Sequence, residues 1–166
     1  IAARFSPNNP KNISGNDVRL NYGNLFSLNR IASSDMVEGG RSLTIGVEFE
    51  KQNLLDEKIF GFNIGNVIKD KKSSNLPTKS KLDQTRSDIV GDISLNLIKN
   101  FDLKYDFSYD RDLDYSNYDS IGTKFEVNNF VTSFNYVTEN HELGNSEVIN
   151  NTTKLKFDEH SLTFKS

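Results

Sequence analysis

From Phe101 to Tyr109 the chain alternates without a break: Phe101, Leu103, Tyr105, Phe107 and Tyr109 against Asp102, Lys104, Asp106 and Ser108. A strict period of two is the mark of a β-strand with one face in an apolar environment and the other in water. The alternation returns along most of the chain, and the connections between alternating stretches run long, short, long, short. That rhythm is the sequence signature of a transmembrane β-barrel. A soluble antiparallel sandwich also alternates. Its core favours Val, Ile and Leu, however, whereas the apolar faces here are rich in Phe and Tyr.

Composition permits a barrel and removes other classes. Hydrophobic residues make up 35% of the 166. No apolar run approaches the about 20 residues of a membrane helix, while a barrel strand needs only every second residue apolar. A net charge of −3 provides no basic field for nucleic acid. With no cysteine there is no disulfide, thiolate nucleophile or Cys-based zinc site. The chain starts at Ile1 rather than Met and stops as Leu162 and Phe164 begin a new alternation. The expectation is therefore an internal stretch, with 1–166 a partial barrel domain of about seven to nine antiparallel strands.

Residues 42–51 set Leu43, Ile45, Val47 and Phe49 against Thr44, Gly46, Glu48 and Glu50. Residues 59–68 set Phe60, Phe62, Ile64 and Ile68 against Gly61, Asn63 and Gly65. Residues 87–99 set Ile89, Gly91, Ile93, Leu95 and Leu97 against Asp88, Val90, Asp92, Ser94 and Asn96. Further strands are expected at 101–109, 123–127 and 130–138, a weaker one at 147–157, and a last one from Leu162. Loops at 24–41, 69–86, 111–120 and 140–146 would face outside; turns at 53–58, 99–100, 128–129 and 158–160 would face the periplasm. Asn128-Asn129 suits a two-residue turn because Asn tolerates positive φ. Phe60, Phe62, Ile93, Leu95, Leu103, Tyr105, Phe107, Phe134 and Tyr136 are expected to face lipid. Glu48, Asp88, Asp92, Asp102, Lys104 and Asp106 are expected to face the lumen.

Residues 24–41 read NLFSLNRIASSDMVEGGR. Asn24, Leu25, Phe26, Asn29, Arg30, Asp35, Glu38, Gly39 and Arg41, followed by the strand with Gly46, resemble a motif of the LptD family. This is the outer-membrane lipopolysaccharide-assembly, or organic solvent tolerance, family. Residues 4–9 and 87–91 are also similar to family segments. Met36 departs from the pattern, which leads one to expect Arg beside the acidic residue. The resemblance implies a periplasmic jellyroll and a very large barrel plugged by an LptE-type lipoprotein. Lipopolysaccharide would arrive along periplasmic bridge proteins and leave sideways into the outer leaflet. This chain would be barrel wall in the bacterial outer membrane, in contact with outer-membrane lipid, without enzymatic activity or cofactor. The other readings are a different outer-membrane barrel, porin or receptor, and a soluble β-sandwich binding domain.

The motif segment is unusually apolar for a free loop: Leu25-Phe26, Leu28 and Ile31-Ala32. It is expected to fold into the lumen or onto its neighbours. A buried Arg30 then needs a carboxylate, and Asp35 and Glu38 are nearest. Other chemistry fails on spacing. Asp110, Asp112 and Asp114 match the start of a calcium loop, but Tyr115 and Ile121 stand where Gly and Glu are needed. A solvated loop fits better, and a cation at 110–119 stays open. His141 and His160 fall at opposite strand ends on this topology, too far apart for one metal site. Neither adjoins a Ser nucleophile with an orienting third group. Gly39-Gly40 lacks the Lys-Ser/Thr and the helix of a phosphate loop. The sequons at Asn12 and Asn150 matter only in a eukaryotic secreted protein.

Overall fold

The structure, a computed structural model, describes residues 1–7, 12–14, 18–30, 38–141, 144–157 and 160–166, with the backbone alone for Leu97 and His141. The strands are β1 (Ala2–Ser6), β2 (Gly40–Gln52), β3 (Lys58–Lys69), β4 (Ile89–Ile98), β5 (Phe101–Tyr109), β6 (Ser116–Val127), β7 (Phe130–His141), β8 (Gly144–Phe157) and β9 (His160–Lys165). They form one nine-stranded antiparallel sheet in sequence order. A one-turn helix, α1 (Tyr22–Leu25), and a helical turn at Lys79–Lys81 interrupt the loops. Among the described residues no helix is long and apolar enough to cross a membrane, which says nothing about strands.

The tight connections follow from their residues. Asn100 and Asn128 hold φ of 68° and 50°, left-handed conformations that Asn accepts at little cost. Asn53 closes the 53–57 turn with its side-chain oxygen, which accepts from the N–H groups of Leu55 and Glu57 at 2.8 and 3.0 Å.

The chain divides into two compact units. The first comprises Ile1–Glu48, Asn63–Gly91 and Phe107–Asn117. In it, register places Arg4 opposite Ser42 and Ala2 opposite Thr44, so Arg4, Ser42 and Thr44 share a face. Residues 18–30 lie over that face. A Cβ on Gly65 would stand 2.5 Å from Leu25 Cδ2, and one on Gly46 would stand 2.9 Å from the Phe26 ring. The absent side chains are what let the loop sit down on the sheet. Leu20, Leu25, Val67, Leu82 and Val90 form a fully buried cluster with Tyr22 against it. Burying Leu25 alone contributes roughly 1.5–3 kcal/mol. The second layer of this cap is the loop at 70–88. Its Asn75 carbonyl accepts from Ile13 N–H, and its Ser80 hydroxyl accepts from Leu20 N–H, both at 2.9 Å.

The second unit comprises Phe49–Phe62, Asp92–Asp106 and Tyr118–Ser166. Its registers pair Val127 with Phe130, Phe130 with Leu155, and Leu155 with Leu162. Ile121, Tyr136 and Ile149 form a second row on the same face. Lys124, Ser133 and Thr152 lie on the opposite face. Three polar residues of the apolar face satisfy one another. The Thr132 and Thr153 hydroxyls are 3.0 Å apart. Asn151 accepts from Thr153 at 3.1 Å and donates to Thr132 at 3.3 Å.

Several boundaries differ from the sequence expectation. Residues 2–6 form a strand, β1, where only a family segment was read. β6 begins at Ser116 rather than Thr123, which shortens the expected 111–120 loop to 110–115. Of the added strand residues, Tyr118 and Ile121 fall on opposite faces and the others are small or polar, so no alternation marks them. β7 reaches His141 and β8 starts at Gly144, so the expected 140–146 loop is a two-residue connection. Long and short connections therefore alternate only in the first part of the chain. The 69–86 loop, read as polar and without an apolar period, buries Leu76, Pro77 and Leu82. The turn near 158–160 falls largely outside the described residues.

Gly65→Ala should test the seating of the loop. The new methyl would meet Ile45 O at 2.6 Å as well as Leu25, and backbone cannot swing aside. The expected loss is about 1–3 kcal/mol, read as a lower unfolding midpoint.

Candidate functional site

Two buried polar centres organise the cap. The first is Glu38, whose side chain is almost wholly inaccessible, as is that of Arg30. Glu38 Oε2 accepts from Arg30 Nε at 2.9 Å and from Arg4 Nη1 at 3.0 Å. Its Oε1 lies 3.3 Å from Lys69 Nζ, so both carboxylate oxygens face cations. Arg4 Nη2 also donates to the Glu38 carbonyl at 2.6 Å. The remaining Arg30 nitrogens donate to Thr44 Oγ1 at 3.1 Å and Ser42 Oγ at 2.9 Å. Lys69 Nζ donates to the Leu82 carbonyl at 2.8 Å, which ties the second loop to the same centre. Burial pushes the Arg30 guanidinium below its ordinary range; the Glu38 carboxylate pulls it back up, and Arg4 opposes that.

The second centre is Asp88, fully buried where the long loop enters β4. It accepts from Asn117 Nδ2 at 2.8 Å and Ser108 Oγ at 3.1 Å, which joins the loop to β6 and β5. Burial pushes its carboxyl up, the two hydrogen bonds and Lys81 hold it down, and Asp110 adds to the rise.

The motif residues have distinct places. Asn24 completes the capping box of α1, whose N-cap is Asn21: its N–H bonds to the Asn21 side chain, its own side-chain oxygen accepts from Asn21 N–H, and its amide donates to the Arg19 carbonyl, all at 2.9 Å. Leu25 is core, Phe26 covers Gly46, and Asn29 is half-buried. Of the two carboxylates expected beside Arg30, Glu38 makes the contact; Asp35, like Met36, lies outside the described residues. Gly39 is half-buried, and Arg41 is exposed, with Nε 3.1 Å from Asp70.

Among the charged residues expected to face a lumen, Asp106 and Asp92 both act on Lys104. Lys104 pairs with Asp106 at 2.9 Å, Glu48 and Asp102 are exposed, Asp92 is half-buried, and Asp88 is enclosed. Phe60, Phe62, Ile93, Leu95, Leu103, Tyr105 and Phe107 are half-exposed, and Phe134 and Tyr136 are exposed. The Tyr105 hydroxyl donates to Asp119. The Asp110 carboxylate is engaged within its own turn, where it accepts from Asp112 N–H at 3.2 Å. Pairing of His141 with Gly144 and of His160 with Phe157 puts the two histidines at opposite ends of β8.

A family model described as LPS transport system D matches residues 7–165. The chain belongs to the LptD family. No curated protein matches it. LptD is a transport and assembly family of the outer membrane rather than an enzyme family. Within this LptD-family chain, sequence reasoning missed Arg4, Lys69, Ser42 and Thr44 around Glu38, and Ser108 and Asn117 around Asp88. The pairing of distant strands brings them together, and local spacing carries no trace of that. Leu76 and Leu82 were the available signal that the 70–88 loop is anchored.

Two substitutions test the centres. Glu38→Gln leaves Arg30 and Lys69 buried without a matching charge, and should cost about 3 kcal/mol, seen as a lower unfolding midpoint. For Asp88 the sign follows from a folded pKa above the unfolded one. Its contribution to stability is fully present below the unfolded value of about 3.9 and is lost as pH rises through the folded value. Stability of the parent protein relative to Asp88→Asn should therefore increase as pH is lowered from neutrality. A pH-independent difference in unfolding midpoint would show that no charge is buried there.

Proposed function

We propose that this chain forms part of the wall of an outer-membrane β-barrel that delivers lipopolysaccharide to the outer leaflet. It acts as a conduit and carries out no covalent chemistry. The observation that carries this reading is the apolar face without protein cover. Val47 and Phe49 on β2 are 58% and 54% exposed, Phe134 on β7 is 52% exposed, and Phe164 on β9 is 56% exposed. In water such a surface is an aggregation hazard; against lipid it is what a spanning strand requires. β2 to β8 are 9 to 14 residues long, enough to cross a bilayer when tilted, which takes about 9–11.

The membership of residues 7–165 in the LptD family supports lipopolysaccharide as the cargo. On this reading the end of the sheet that bears the 70–88 and 110–115 loops faces outward, and the 53–57, 99–100 and 128–129 turns face the periplasm. The Arg4–Thr44 face lines the lumen, with the cap folded into it. An LptE-type plug lipoprotein then meets the lumen side, and lipid meets Phe60, Phe62, Ile93, Leu95, Leu103, Tyr105, Phe107, Phe134 and Tyr136.

Phe134→Arg should cost about 2–4 kcal/mol near the bilayer midplane, whereas Lys124→Gln on the opposite face should cost little. The first should abolish heat-modifiable barrel assembly and sensitise cells to hydrophobic antibiotics; the second should do neither. Equal tolerance of both would mean that the Phe134 face does not meet lipid.

A further inference from the structure

Two adjoining recesses occupy the first unit along the face of β1 and β2 opposite the Glu38 centre, with Arg4, Ser42 and Lys69 also at the border of the groove. Register pairs Ala3 with Leu43 and Phe5 with Arg41, so these four side chains share that face. With Ile68 they line an open groove of about 700 Å³. A second recess of about 460 Å³ continues past the strand ends to Gly39, Lys71 and Ser73, and shares Phe5, Arg41, Lys69 and Asp70 with the groove. The groove is therefore apolar along the strands and cationic at its loop end.

The cations there have spare capacity. Arg41 commits Nε to Asp70 and leaves its terminal nitrogens without a partner among the described residues. Lys71 is exposed, and the carboxylate on which its ammonium acts is the same Asp70. One carboxylate thus faces two cations, with exposed Lys72 next in sequence. An apolar trough that ends in unmatched positive charge fits an anionic amphiphile, with acyl chains along the trough and phosphate on Arg and Lys.

We propose that this outer wall holds a molecule of lipopolysaccharide from the outer leaflet, its acyl chains against Ala3, Phe5, Leu43 and Ile68 and a lipid A phosphate on Arg41 and Lys71. The proposal rests on the barrel-wall reading, which puts the loop end at the outer leaflet. There a doubly phosphorylated lipid matches the paired cations better than a phospholipid with one phosphate. The site is a docking place on the lipid side of the wall, separate from the lumen.

The test extracts the protein from its membrane in mild detergent, washes it, and counts lipopolysaccharide retained per chain by mass spectrometry. The parent should retain it, and Arg41→Glu with Lys71→Glu should lower retention about tenfold or more, since two charge-assisted contacts become repulsive. Parent protein stripped and offered deep-rough lipopolysaccharide or phosphatidylglycerol should take up the first in preference. Should the double variant fail to assemble, the salt dependence of retention by the parent decides, because exposed phosphate contacts weaken on screening. Unchanged retention in the variant, equal uptake of phosphatidylglycerol, salt-independent retention, or no lipopolysaccharide on the parent would each overturn the proposal. The transport reading is tested apart from it, by depleting the protein and measuring lipopolysaccharide at the cell surface. Loss of surface lipopolysaccharide together with an empty groove would refute the docking site alone.

Discussion

A carboxylate withdrawn from water has to be matched where it lies, and Glu38 is matched from three separate parts of the chain. Arg4 comes from β1, Arg30 from the motif segment itself, and Lys69 from the end of β3. The hydroxyls of Ser42 and Thr44 take the guanidinium protons that Glu38 cannot reach. Burial alone works against this arrangement, as the downward push on Arg30 shows. A buried ion pair is a weak source of net stability but a strict one of geometry, because any other placement of the loop strands a charge. The apolar part of the cap then has one place to settle, with Leu25 on Gly65 and Phe26 on Gly46.

The same strands present a different chemistry on their other side. β1 and β2 turn Arg4, Ser42 and Thr44 toward the cap and Ala3, Phe5 and Leu43 away from it. Period two makes this unavoidable: a strand that anchors a polar loop on one face offers its alternate residues to whatever lies opposite. In the second unit three polar residues of the apolar face, Thr132, Asn151 and Thr153, bond to one another. Asp119 takes the Tyr105 hydroxyl. A lone hydroxyl or carboxylate facing hydrocarbon would cost several kcal/mol, roughly, so mutual satisfaction is what makes such positions compatible with lipid. The groove across β1 and β2 from Glu38 joins the two sides. Arg41 stands at the outer mouth of that groove, three residues along the chain from the carboxylate that anchors the cap.

Legibility in the sequence followed the strength of the period. β5 was readable residue by residue because every odd position from Phe101 to Tyr109 is apolar or aromatic. The first residues of β6 and β8 were not, because Tyr118 is the one aromatic residue from Ser116 to Ser120 and Gly144 to Glu147 carry no apolar side chain; pairing with β7 holds Tyr118 onward and Gly144 onward as strand. The need of a buried Arg30 for a carboxylate was legible from its apolar neighbours, and Glu38 was close enough in sequence to be named. Arg4 and Lys69 were not, since nothing local ties residues 34 and 31 positions away to Glu38.

What the sequence determined by itself is therefore the class of structure. Alternation sets which side chains share a face, Asn at 100 and 128 sets the tight turns, and the motif residues identify the family. The tertiary structure decided what the loops do. The 70–88 loop reads as solvated polymer, yet it closes over the sheet because Leu76 and Leu82 find apolar partners in Ile13, Leu20 and Leu25. Asp88 reads as one more charge on a polar face, yet it is enclosed by Ser108 and Asn117. The physical reason is the range of the interactions. Strand period is a property of adjacent residues, whereas burial of a charge or a loop depends on partners that only strand pairing brings near.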